Sequence, residues 1–173
     1  GSVTAKTRPP RGCSRTCTSP PRWARARRAT HSRDAAVASG PSGPVLLDDA
    51  DLPGALRRLA VSPALGVTGE ADEVRRIPTG GVAKAPVLAV VGVGEVDPGD
   101  VEPEHLRRAA GAASRQITGV ASLGLAFPAD DADRLAAAVE GALLGAYAFD
   151  RYRAVPEAQR PAARVEVVTS LAK

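Results

Sequence analysis

The side chains in this chain that could do chemistry are few, and their spacing limits what they could do. Cys13-x-x-x-Cys17, with His31 further on, offers three zinc-type ligands. A closed zinc site takes four, so incidental thiols are the simpler reading. Gly92-Val93-Gly94 closes a strongly apolar run, and glycine loops of this kind can approach a phosphate. The third glycine of a dinucleotide fingerprint is missing, because Asp97 stands in its place. A tight strand-to-loop turn accounts for the pair. His105 lies beside Glu102 and Glu104; with no Ser or Cys nucleophile implied near it, it reads as a solvated helix residue. Asp48, Asp49 and Asp51, and again Asp130, Asp131 and Asp133, could be carboxylate clusters. Both sets are equally what helix starts require, since acids favour the positive end of the helix dipole and cap its free N–H groups. Trp23 among Arg22, Arg25, Arg27 and Arg28 could hold nucleic acid weakly, through phosphate contacts and one stacking ring. None of these sets assigns a catalytic, cofactor-binding or metal-binding residue.

Elements to position any such residue begin only part-way along the chain. Residues 1–43 carry nine basic residues and one acid, a charge of +8 in a chain whose total is +4, so the remainder stands at −4. This stretch is rich in Pro, Arg, Ser and Thr and shows no apolar periodicity, which predicts a disordered basic arm. Its composition is also what a shifted reading frame through GC-rich DNA yields, with a native extension as the rival reading. Both cysteines lie in it, leaving no disulfide framework for the rest. There is no apolar run near 18 residues and no secretory signal pattern, so a cytoplasmic protein is expected.

From Val45 the texture changes. Val45-Leu46-Leu47 reads as a strand, and Asp51 as the cap of a helix with Pro53 in its first turn and Leu52, Leu56 and Leu59 on one face. Val74 to Ile77 alternates as a half-buried strand does, and Pro78-Thr79-Gly80-Gly81 as a turn. Pro86 to Gly94 is a continuous β-branched run that predicts a strand buried on both faces. Pro103 opens a helix with Leu106, Ala110, Ala113 and Ile117 inward. Val120 to Phe127 reads as a second central strand. A long helix then runs to about Tyr152, with Leu135, Val139, Leu143 and Tyr147 as its apolar stripe. Gly141 and Gly145 inside that helix each cost about 1 kcal/mol against Ala, which implies close approach of another backbone. Arg164 to Ser170 is a final strand. The alternation predicts an α/β fold with a partly parallel sheet.

Two stretches carry a resemblance. Val139-Glu140-Gly141-Ala142-Leu143-Leu144-Gly145-Ala146-Tyr147-Ala148-Phe149-Asp150-Arg151-Tyr152 is similar to a helix near the end of the N-terminal domain of leucyl (cytosol) aminopeptidases. Leu106 to Ala113, following Val91-Gly92-Val93-Gly94, and the segment Gly66-Val67-Thr68-Gly69-Glu70 resemble the same domain. The resemblance implies a macro-domain-like mixed sheet flanked by helices over residues 44–173. It also implies a non-catalytic domain that takes part in assembling a homo-oligomer, a hexamer in that family. Peptide substrates and two divalent metals, manganese or zinc, belong to the family's C-terminal catalytic domain. The signature of that domain, Asn-Thr-Asp-Ala-Glu-Gly-Arg, does not occur in this sequence. The chain alone is therefore expected to be inactive. Binding of ADP-ribose or another nucleotide by a macro-like module is the alternative, beside nucleic-acid binding by the arm. Family members usually begin with a strand where the arm stands here; without it the sheet would have an uncovered edge.

Overall fold

The computed structural model describes residues 2–7, 31–47, 52–97, 99–149, 152 and 154–171. Its strands are β1 (Ser2–Thr7), β2 (His31–Gly40), β3 (Gly43–Leu46), β4 (Val74–Pro78), β5 (Val87–Glu95), β6 (Ser122–Leu125) and β7 (Arg164–Thr169). Three α-helices accompany them: α1 (Gly54–Ala60), α2 (Pro103–Gln116) and α3 (Ala132–Gly145). All seven strands join one sheet in the order β1-β7-β6-β2-β5-β4, with β3 paired to β2. The run β1, β7, β6, β2, β5 is parallel, whereas β4 lies antiparallel to β5 and β3 to β2.

The strand at the centre of this sheet is β2. β2 lies wholly within the stretch read as an arm, yet it pairs with β5 from Ser32 to Ser39 and with β6 from His31 to Arg33. Ala35, Ala36, Val37 and Ala38 are buried. A Gly40–Gly43 hairpin then returns β3 along the second half of β2, and the Leu47 amide continues the pairing by donating to the Ala36 carbonyl at 3.0 Å. β6 and β3 thus share one edge of β2. At the other end of the sheet, β1 pairs in parallel with β7.

Alternation along the strands separates two apolar layers. Ala35, Val37, Leu88 and Val90 face one way and pack with Leu52, Leu56 and Ala60 around α1. Ala36, Ala38, Ala89, Val91 and Val93 face the other way, joining Leu123, Leu125, Phe127, Val165 and Val167 under α2 and α3. This is the expected mixed sheet flanked by helices. The stripe Leu106, Ala110, Ala113 and Ile117 on α2 is fully buried, as its spacing requires.

Details of three elements differ from the sequence reading. Pro53 is the residue before α1 rather than in its first turn, and no side chain caps that helix; Asp51 lies outside the described residues. Leu59 is exposed and Ala60 takes its place in the core, because residues four apart share a helix face. β6 holds only four residues of the longer strand expected there, although Phe127 beyond it stays buried.

The third difference concerns α3, which stops at Gly145 instead of reaching Tyr152. Its buried residues are Ala137, Ala138, Gly141 and Ala142. Leu143 and Tyr147, expected to point inward, are exposed. The two glycines explain the inversion. A Cβ on Gly141 would collide with the Arg107 carbonyl oxygen, and one on Gly145 with that of Gly111. α3 therefore turns its small-residue face to α2; Leu135 and Val139 of the predicted stripe pack half-buried against the core, and Leu143 and Leu144 in the last turn face out. The expected close backbone approach is present, on a different stripe from the one read.

Candidate functional site

The acids picked out by spacing are engaged in building elements. The Asp131 side chain accepts from the Arg134 amide at 2.8 Å and caps α3. Asp130 receives the Arg134 guanidinium at 2.8 Å, and that hydrogen bond holds its carboxyl below the usual range against a smaller opposing effect of burial. Asp133 lies in the first turn. Glu104 and Glu140 both hold Arg107, which joins the start of α2 to α3 and has its pKa raised by those two bonds. Asp48, Asp49, Cys13, Cys17, Trp23, Arg22, Arg25, Arg27 and Arg28 lie outside the described residues. Among the described residues no group of three or more His, Cys, Asp or Glu is placed to hold a metal ion.

Gly92 and Gly94 are used by the chain itself. A Cβ on Gly92 would run into the Glu70 carbonyl oxygen, so the loop 67–73 needs glycine there in order to lie on β5. The Gly92 amide donates to the Glu73 carbonyl at 2.8 Å, and the Gly94 amide to the Gly69 carbonyl at 2.9 Å. Both donors that could have met a phosphate are thereby engaged. The loop is closed by Glu73, whose carboxylate accepts from the Thr68 amide and hydroxyl, the Gly69 amide and Arg75, at 2.8–2.9 Å. Burial opposes ionisation of Glu73, but these four hydrogen bonds outweigh it and hold its pKa below the ordinary value. Gln116 and Arg108 reach from α2 to Asp72 on the same loop. None of this was legible from spacing, because half of the donors are backbone amides and two of the others reach the loop from α2.

His105 is half-buried rather than solvated, and its Nδ1 is enclosed without a hydrogen-bond partner. Among the described residues no nucleophilic side chain hydrogen-bonds to it, and it marks no site.

Two of the recesses among the described residues bear on function. One of about 210 Å³ lies at the carboxyl ends of β6 and β7, lined by Phe127, Asp130, Thr169 and Ser170 among others. Two of its polar groups are already engaged: the Thr169 hydroxyl donates to the Ala129 carbonyl at 2.5 Å, and Asp130 holds Arg134. The other, a groove of about 580 Å³, lies where α3 ends, between Arg115, Thr118, Tyr147, Phe149, Val155 and Gln159. It adjoins an apolar surface that includes Leu143 and Tyr147 of the stripe read on this helix. Leu144 is 72% exposed, Tyr147 74% and Tyr152 84%, with Leu143 and Phe149 at least half exposed. The Phe149 and Tyr152 rings meet edge to face at 5.6 Å. Contiguous apolar surface of this kind marks an interaction site more often than chance, and it is the strongest candidate on the described surface.

Residues 37–156 match the sequence family described as the N-terminal domain of the cytosol aminopeptidase family. A probable cytosol aminopeptidase of Micrococcus luteus is 48% identical over 143 residues, 79% of this chain and 28% of that protein. One from Streptomyces griseus is 45% identical over 124 residues, covering 68% and 24% respectively. Among solved structures, the bottromycin maturation enzyme BotP in complex with Mn aligns with a TM-score of 0.52 at 25% identity, over 80% of this chain and 26% of that one. The chain spans about a quarter of the length of the curated relatives it matches.

Proposed function

Because the chain belongs to the cytosol aminopeptidase family through that family's N-terminal domain, we propose that it is the non-catalytic assembly domain of a metal-dependent aminopeptidase. The observation that carries this reading is the match over residues 37–156, in a chain that spans only a quarter of its relatives. In this reading the parent enzyme works in the cytoplasm as a homo-oligomer, a hexamer, and removes N-terminal residues from peptides. The macro-like sheet with its interlocked helices acts as a rigid platform.

The residues described here do not fit the metals of such an enzyme. Two-metal peptide hydrolysis needs several carboxylates converging on an open coordination position. Here Asp130, Asp131, Glu104, Glu140 and Glu73 are each turned to a cap, an ion pair or a loop closure. The two divalent ions, manganese or zinc, are thus assigned to the part of the parent that follows this domain, and no catalytic step is routed through this chain.

The test is direct. Purified chain with Leu-p-nitroanilide and added manganese is expected to give no hydrolysis above background. Its residues 37–171, grafted in place of the matching segment of the Micrococcus luteus relative, are expected to leave that enzyme active. Turnover by the isolated chain that follows its concentration would overturn the non-catalytic reading.

A further inference from the structure

We infer that the aromatic end of α3 and its adjoining groove are the docking surface for the polypeptide that follows this domain in the full-length enzyme. This inference rests on the reading above and adds the partner and the place.

The exposed apolar residues at the end of α3 are the starting point. A surface helix ordinarily turns its large apolar residues to its own core and polar ones to water. α3 gives Ala137, Ala138, Gly141 and Ala142 to the core with Leu135 and Val139 packed half-buried beside them, but its last turn directs Leu143 and Leu144 outward, and Tyr147 and Phe149 beyond its end extend the exposed surface. That pattern suits a helix held between its own domain and a second body. An inward role for Leu143 and Leu144 is closed off by the backbone contacts at Gly141 and Gly145.

The occupant follows from length and linkage. The relatives are about four times as long as the matched part, so the following region is the bulk of each protein. A covalently linked body is present at high effective concentration, and modest apolar contact suffices to seat it. The groove mixes Tyr147, Phe149 and Val155 with Arg115, Thr118 and Gln159, which suits apolar anchors flanked by carboxylate or carbonyl acceptors. The route is constrained as well. The groove lies by the Thr118–Pro161 bridge at the amino ends of β6 and β7, whereas the chain leaves at the carboxyl end of β7. A six-residue strand spans about 20 Å, so the following segment must run back along the domain by that distance to reach it.

Hydrogen–deuterium exchange on the isolated chain and on the graft decides the matter. Amides of residues 143–155 are expected to exchange at least ten-fold more slowly in the graft, with those of α2 unchanged. The Tyr147→Ser/Phe149→Ser pair should abolish that difference in the graft and leave α2 protection intact, since neither ring serves the domain's core. Equal exchange at 143–155 in chain and graft would overturn the inference. So would protection that grows with concentration in the isolated chain, which assigns the surface to a second copy. An inactive graft with 143–155 protected counts against the proposed function alone; an active graft with 143–155 unprotected counts against this surface alone.

Discussion

Replacing Gly141 by Ala tests whether the α2–α3 interlock organises this domain. Two effects oppose each other. In a helix interior Ala is favoured over Gly by about 1 kcal/mol. Against that, the added Cβ would overlap the Arg107 carbonyl oxygen and lie within 3 Å of that residue's carbonyl carbon and Cα. Backbone atoms in a hydrogen-bonded helix cannot rotate aside, so the helices must part along a buried seam. Overpacking of a tight core costs about 1–3 kcal/mol, and rigid backbone on both sides places this case at or beyond the upper end. A net loss of about 2 kcal/mol is expected. For a domain of this size that lowers Tm by about 4–8 °C. Gly111 supplies the control on the partner helix: a Cβ there would sit 3.4 Å from the Gly141 carbonyl oxygen, an ordinary contact. Gly111→Ala should therefore be neutral or stabilising by up to about 1 kcal/mol. Urea and thermal unfolding followed by far-ultraviolet circular dichroism measure both. If Gly141→Ala gained the stability its helix propensity offers, the close-approach argument would be refuted, and with it the reason for the inverted face of α3.

Other outcomes can be checked on the same material. Phe127→Ala removes a side chain only 2% exposed beneath α2 and α3 and should cost about 3–5 kcal/mol in urea unfolding. Asp131→Ala removes the side-chain cap of α3 and should cost about 1 kcal/mol; Asp133→Ala, in the same turn, serves as its comparison. Glu73 has a lowered pKa in the folded chain, so its contribution is fully present above its unfolded value of about 4.3 and is lost as pH falls through the folded one. The stability gap between the parent chain and Glu73→Gln should accordingly narrow on acidification below that pH; a gap that stays constant from pH 6 to pH 3 would show that the loop closure does not depend on the carboxylate.

Much of the architecture could be read before the fold was known, because the signals were local. The β-branched run of β5 closed by glycines, the four-residue stripe of α2 and the alternation in β7 each prescribe an element without reference to the rest of the chain. Asp131 as a cap is equally local. So was the inference that Gly141 and Gly145 admit another backbone. The same residues carry the family resemblance, which the match over residues 37–156 bears out.

What local signals could not supply was decided by contacts between distant segments. β2 is built from Ala35, Ala36, Val37 and Ala38, side chains too small to announce a strand beside so many basic residues. It is a strand because β5 and β6, more than fifty residues away, hydrogen-bond both of its edges. Gly92 read as a possible phosphate loop because nothing nearby in sequence shows that Glu70 lies on top of it. In α3 the periodicity established that apolar residues recur every fourth position, but two faces satisfy that rule. Which one turns inward was settled by the space between two backbones, and only the glycine face fits that space. The residues left outside thereby became the candidate interface.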